Sequence, residues 1–408
     1  MARQKRQVDH MARPRKSKAQ KEKEALSEFE RLLRLVPDPR RPQGTRYPLE
    51  SVIIIALMAL VVGADDAESM QGWGEINADW LSGFLDLPHG VPTQDVFLSV
   101  FSALNPETFS EMFIAWMDLL RLRMNAAGKH IAVDGKTCRR SFDRAKGRSA
   151  VHTVSAWLSD AGLVLGQYKT AAKSNEITAI PELLRIIDIR GATITIDAMG
   201  CQTDIAKVIV EQGGDYILAV KENQPTLYAD LKESFADALD TENRPVDNQP
   251  LQVESWSSVE KDHGRLEERT VHVCRDLSLV SSGRRWKKLS FIAMAEAKRT
   301  DLHTNETSVF QRYFIGSSES QPAKEVARLI RRHWSIENEL HWVLDMAFHE
   351  DAARHRTGNC AQNFATLRHF ALNLVKNCPG RRLGVANTRK LAGWDRGTLV
   401  NIFLASKF

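Results

Sequence analysis

Asp134 closes one strand-like run, Ile131-Ala132-Val133, and Asp197 closes another, Ile194-Thr195-Ile196, while Glu337 lies within the apolar stripe of a later helical segment. Acids this far apart in the chain meet only if the fold brings them together. Converging carboxylates suit a hard divalent cation such as Mg²⁺ or Mn²⁺, which takes oxygen ligands and keeps positions open for water and phosphate. The usual work of such a site is in-line displacement at a phosphodiester. If the two runs pair side by side, the aspartates lie at neighbouring strand ends, where each raises the pKa of the other unless a cation neutralises them. Taken singly, each Asp reads better as a turn residue after a strand, the more so before Gly135. The pair, taken with the helix, reverses that preference.

On a helical wheel with Val326 at the origin, Leu329, Ile330, His333, Trp334, Leu340, His341 and Leu344 fall within about 80° of it. Glu337 falls at about 20° and Glu339 at about 220°. A carboxylate inside an apolar stripe needs a cation or a hydrogen-bonded partner. A structural ion pair with an arginine is the other reading of Glu337, and Glu339 is expected to be a solvated surface acid.

The elements that must position these acids follow from periodicity. Residues 26–35 read as a short amphipathic helix, ended by the Pro/Gly/Arg-rich loop 38–48. Residues 49–125 read as mostly helical, with a core helix at 51–64, a second helix at 67–81, and Asn105 capping a helix that starts at Pro106. HIAVDG is a short apolar strand, and 150–159 and 163–171 form a hairpin about Asp160-Ala161-Gly162. Ser174 or Asn175 caps a helix that runs through Ile187, with Glu176 in its first turn. Residues 192–198 are a central strand buried on both faces, and 215–220 another, each followed by a helix. The order βββαβαβα implies a mixed sheet. Residues 240–322 break the rhythm with strand-like stretches at 267–274, 289–297 and 308–315, read as a β-rich insertion forming its own small sheet. Helical periodicity returns from Ala323 to Phe348 and again over 359–377, until Pro379-Gly380.

The 408 residues are 43% apolar and 26% charged, which excludes a low-complexity or disordered chain and suggests two to three domains. The longest apolar run, 51–64, lies between Glu50 and Asp65 and is too short to span a bilayer. Five cysteines without a CxxC pair read as free thiols in a reducing compartment. The net charge of +5 is uneven: residues 1–21 carry eight Lys/Arg against Asp9, which is +7 and leaves −2 for the rest. Such an arm holds a phosphate backbone or is simply a solvated tail, and Met11 is a second possible start.

With these residues in view, the chain resembles the DDE transposases with a ribonuclease-H-like catalytic core, in the insertion-sequence group of the H-repeat-associated proteins. The matching blocks run from about residue 30 to 378: YPL (47–49), VPTQDVF (91–97), IAVDGK (131–136), KSNEI (173–177), TIDAMGCQ (195–202), YILAVKENQP (216–225), HGRLEER (263–269), HWSIEN (333–338), LHWVLD (340–345), FHED (348–351) and ALNL (371–374). The resemblance implies an α/β (α+β) fold: a ribonuclease-H-like mixed sheet flanked by helices, with a helical N-terminal domain and a β-rich insertion. It divides the chain into a basic arm (1–24), a helical domain (25–125), the core's first part (126–239), the insertion (240–322), the core's C-terminal helices (323–378) and a basic C-terminal segment (379–408).

The resemblance makes Asp134, Asp197 and Glu337 the catalytic, metal-holding residues, with two Mg²⁺ or Mn²⁺ ions. It implies cleavage of double-stranded DNA at the element's ends and strand transfer into target DNA, by a cytoplasmic, DNA-associated protein that forms a homodimer or higher oligomer on DNA and needs no membrane. Related transposases carry Tyr-x-x-Arg-x-x-x-Glu-x₆-Lys around the glutamate; here those places hold Ile330, His333, Glu337 and Leu344, so only the glutamate is kept. Candidate DNA contacts are Lys136, Lys221, His333, Arg265, Arg354 and Arg356. Each has a plainer reading: loop polarity for Lys221, Asn223 and Gln224, a turn for His263 and Arg265, and ion pairs with Glu350 or Asp351 for Arg354 and Arg356. Trp256 and Trp286 are either base-stacking platforms or core. Two rivals remain at the level of sequence: a nuclease on the same core that cuts without joining, and a DNA-binding remnant.

Overall fold

A computed structural model of the chain describes residues 29–123, 130–142, 147, 149–170, 176–239, 251–262, 264–380 and 382–404. The basic arm, the residues Ser174 and Asn175, and His263 lie outside the described residues.

The N-terminal region is helical. After a short helix at 29–33 come α1 (Leu49–Val61), α2 (Ala67–Ile76), α3 (Gln94–Ala103) and α4 (Pro106–Arg123). Helix α1 is apolar on every side, and all of its residues but Glu50 are buried, as an all-round apolar helix in a packed core must be. No helix among the described residues is long and apolar enough to cross a membrane. The Asn105 side chain caps α4 by accepting from the amides of Glu107 and Thr108, at 2.8 and 3.0 Å.

The sheet follows: β1 (His130–Thr137), β2 (His152–Leu158) and β3 (Leu163–Thr170), then α5 (Glu176–Ile186), β4 (Thr193–Ile196), α6 (Thr203–Glu211), β5 (Asp215–Val220) and α7 (Pro225–Leu239). The insertion contributes β6 (Val253–Asp262), β7 (Arg265–Cys274), β8 (Phe291–Asp301) and β9 (Thr307–Gly316). All nine strands form one sheet, ordered β3-β2-β1-β4-β5-β9-β8-β7-β6. Strands β1, β2 and β3 form an antiparallel meander, while β4 runs parallel to β1, and β5 to β4. This first half, 3-2-1-4-5 with a parallel centre, is a mixed sheet, as the resemblance implies.

The insertion corrects one expectation. It does not form a separate small sheet, because β9 pairs antiparallel with β5 from Ile217↔Gly316 to Val220↔Tyr313 and extends the main one. Without β9, β5 would present a row of unpaired amides and carbonyls, and pairing removes that edge. Only the inner half of β9 is buried; the outer half is exposed. Strand β6 was not legible in the sequence. It is an edge strand whose Ser, Glu and Lys residues face solvent, so no apolar alternation marks it.

The chain continues through α8 (Ala323–His333), a π-helical segment Ile336–His341, α9 (Trp342–Phe348) and α10 (Cys360–Lys376). Helix α8 lies across β1, β4, β6 and β7. Helix α10 packs on α1, α3, α4 and β3, where Phe370 meets Phe29, Phe109, Phe113 and Trp116. The expected basic C-terminal segment is largely two helices, α11 (Val385–Trp394) and α12 (Arg396–Leu404). Within it Arg389 is buried, donating to the Leu60 carbonyl and pairing with Asp65.

Candidate active site

The parallel pairing of β1 and β4 sets the first two acids side by side. Val133 is registered against Ile196, and the next residues along the two strands are Asp134 and Asp197. The Asp197 carboxylate accepts the amides of Met199 and Gly200 at 3.0 and 3.3 Å, so the turn after β4 fixes its direction. Asp134 sits within β1, which runs on to Thr137, and not at a strand end. Burial pushes the Asp134 carboxyl up to about 7, aided by the charges of Asp197, Glu337 and Glu176 and opposed by the Gly135 amide. Asp197 is also raised, by burial and then by Glu176, against its two amide donors and Lys221.

Glu337 arrives on the π-segment. Ligating atoms of Asp134, Glu337 and His341 lie within 4.8 Å of one another. The helical-wheel expectation for this stretch needs correction. Glu337 is exposed, and so is Trp334, both of which the 3.6-residue period places in the buried stripe. The period fails at these two positions because regular α-helix ends at His333 and a π-turn follows, while Leu340, His341 and Leu344 are buried as the wheel places them. Ser335 pins the transition by accepting from Trp157 Nε1 at 3.1 Å. Glu339, expected to be solvated, is half-buried and paired with Arg332 at 2.5 Å and Lys376 at 3.8 Å.

Sequence reasoning missed three residues at this site. His341 Nδ1 lies 3.5 Å from Asp134 Oδ2. Burial, then the charges of Lys136 and His152, hold its imidazole down at about 3, so it is neutral. Its sequence signal is the four-residue step from Glu337. Glu176, buried at the start of α5, lies 2.6 Å from His152 Nε2, and His152 Nδ1 lies 2.7 Å from Thr137 Oγ1. Gly135 is required here: a Cβ would strike the Glu176 carboxylate and sit 2.8 Å from His152 Nε2. The signal for His152 was a titratable residue inside an otherwise apolar run, whereas Glu176 follows Lys173, Ser174 and Asn175 and reads as an ordinary first-turn acid.

The candidate DNA contacts separate into two groups. Lys221 is exposed, and its charge is felt at Asp197. Arg265, at a hairpin tip, and Arg354 are also exposed. The other three are engaged within the protein. Lys136 Nζ is enclosed by Asp345, Asp351 and Glu350 at 2.6, 3.5 and 3.6 Å, which turns it from phosphate to an internal ion-pair cluster. His333 Nδ1 lies 2.9 Å from Thr195 Oγ1. Arg356 stacks over Phe142 and donates to the Arg140 carbonyl at 3.2 Å. Asn223 and Gln224 brace the turn after β4, donating to the carbonyls of Ala198 and Cys201 at 2.7 and 2.9 Å. Trp286 is buried and Trp256 is partly buried against a core cluster.

The donor set fits a divalent cation. The Asp134 and Glu337 carboxylates converge with a His341 nitrogen, while Asp197 lies at the end of the neighbouring strand outside that group, and the Asp134 carboxyl is pushed up by burial first and then by its neighbours' negative charge. A cation would relieve that repulsion.

Residues 125–374 match the family described as "Transposase DDE domain", and residues 30–117 match the one described as "DDE_Tnp_1-associated". "Putative protein YbfL" of Escherichia coli is 38% identical over 91% of this chain and 96% of its own length. "H repeat-associated putative transposase YhhI" of the same organism is 37% identical over the same shares. A solved piggyBac transposase, in a synaptic complex with hairpin DNA, aligns at 12% identity and a TM-score of 0.40, covering 95% of this chain and 81% of that one.

Proposed function

Because the chain belongs to the DDE transposase family, we propose that it cuts double-stranded DNA at the ends of its own insertion sequence and joins the freed 3′-hydroxyl to target DNA. The observation that carries this reading is the meeting of Asp134 and Glu337, two hundred residues apart in sequence, beside Asp197 on the neighbouring strand. Asp134, Asp197 and Glu337 would hold one or two Mg²⁺ or Mn²⁺ ions. Bound there, such ions supply Lewis acidity to the phosphoryl oxygens and lower the pKa of the attacking hydroxyl or water.

The remaining work falls to the chain's own groups. The Met199 and Gly200 amides keep the Asp197 carboxylate aimed at the site. Lys221, beside Asp197 and open to solvent, is placed to meet a phosphate. Arg265 and Arg354 offer further exposed positive charge, and the arm before residue 25 adds a sequence-independent hold on the backbone. A homodimer or higher oligomer on DNA would bring two element ends together in one cytoplasmic, DNA-associated assembly.

The test uses duplex DNA carrying the inverted repeats that flank the coding region. With Mg²⁺ or Mn²⁺ the protein should nick at the repeat end and give joined products with a target duplex. Nicked DNA without any joined product would reduce the protein to a nuclease, and binding without nicking would make it a remnant.

A further inference from the structure

Three carboxylates account for the roles above, but the donor atoms gathered at Asp134 and Glu337 include a nitrogen, from His341. His341 follows Glu337 by four positions, close to one helical turn, so the π-segment presents both side chains together. The residue is 9% exposed. Its Nδ1 lies 3.5 Å from Asp134 Oδ2, while its Nε2 is buried without a hydrogen-bond partner.

The spacing also suits a shared ion. Octahedral donors about 2.1 Å from a common cation stand about 3 Å apart when adjacent and about 4 Å apart when opposite, and the Asp134–His341 separation of 3.5 Å falls between these. Resting on the transposase reading, we propose that His341 is a metal ligand beside Asp134 and Glu337, and that this oxygen–nitrogen donor set makes the site prefer Mn²⁺ over Mg²⁺. Imidazole binds first-row transition ions better than it binds Mg²⁺, which is best served by oxygen alone.

The experiment is a Mn²⁺ titration of the full-length protein followed by electron paramagnetic resonance, with pulsed measurements of ¹⁴N coupling on the bound ion. Wild-type protein should bind Mn²⁺ in an Asp134-dependent way and show the coupling of a directly bound imidazole. His341→Leu should lose that coupling, bind Mn²⁺ about tenfold more weakly, and lose less affinity for Mg²⁺ in competition. If His341→Leu does not fold, the wild-type spectrum alone decides. Asp134-dependent binding without ¹⁴N coupling would overturn the proposal and leave His341 as an orienting partner of Asp134. Coupling that survives in a folded His341→Leu protein would also overturn it. Absence of any Asp134-dependent binding would remove the metal reading of the whole site along with it.

Discussion

At the scale of single residues, chemistry and packing are hard to tell apart from sequence, and Lys136 shows why. Two positions after Asp134 and in a stretch of alternating strand character, it is a natural candidate for phosphate. Its amine instead pairs with Asp345, Glu350 and Asp351, of which Glu350 is buried. Lys136→Ala should therefore cost about 3–5 kcal/mol of stability, because it strands a buried charge, and the folded fraction should bind DNA as before. Urea unfolding alongside DNA titration separates the roles, and an unchanged midpoint with weakened DNA binding would return Lys136 to the interface. Gly135→Ala should cost about 1–3 kcal/mol in the same assay, since overpacking forces Glu176 and His152 apart; wild-type stability would show that this close approach is not a constraint. Asp134 and Asp197 were legible because each ends an apolar run and charge stands out there. His341 and His152 were not, because a lone titratable residue among apolar neighbours looks like core until its partners are placed, and Glu176 reads as an ordinary first-turn acid.

At the scale of elements, the sequence carries period, and period alone fails where the backbone departs from it. The strands β1 to β5 and their order of appearance follow from apolar runs and turns, and the adjacency of β1 and β4 was expected from the family. The π-segment and the join between β5 and β9 leave no such trace: one is a local change of helical pitch, the other a pairing across about 100 positions. The π-segment itself is testable. A wider turn holds more residues than an α-turn, so deleting the exposed Asn338 should restore α-helical register and swing His341 away from Asp134 and Glu337. The variant should keep its far-ultraviolet circular dichroism yet lose divalent-ion binding. Retained ion binding would show that the π-turn does not set the site.

At the scale of the whole molecule, the site rests on a fold that buries several histidines. His130 and His369 are held down at about 3, and His333 and His355 at about 4, chiefly by burial in each case. Their folded pKa values lie below the unfolded value of 6.5, so they contribute stability above pH 6.5 that is lost as pH falls towards 4. Each weakens the fold by about 1.4 kcal/mol per pH unit within that window. Asp134, raised to about 7, works the opposite way between pH 7 and 4, as do the raised Asp118, Asp197 and Glu350, while His341 adds a fifth ring to the histidine side. The urea midpoint should thus fall from pH 7.5 to pH 5.5, and a constant or rising midpoint would contradict the burial of these rings. The helical N-terminal region shares its core with α10, so it was legible as helix but not as a partner of the last helices. Aromatic contacts such as Phe29 with Phe370 join residues too distant for any local pattern.

The central claim is that Asp134, Asp197 and Glu337 together do the chemistry, and the most direct measurement is the rate of Mg²⁺- or Mn²⁺-dependent nicking at the element's end by alanine variants. Asp134→Ala, Asp197→Ala and Glu337→Ala should each slow nicking by at least about 10³-fold, the loss of several kcal/mol of transition-state stabilisation, while DNA binding persists. Glu339→Ala, which breaks only the half-buried pairs with Arg332 and Lys376, should remain within about tenfold of wild type. Near-normal nicking by Asp134→Ala or Glu337→Ala, or a collapse confined to Glu339→Ala, would contradict the account.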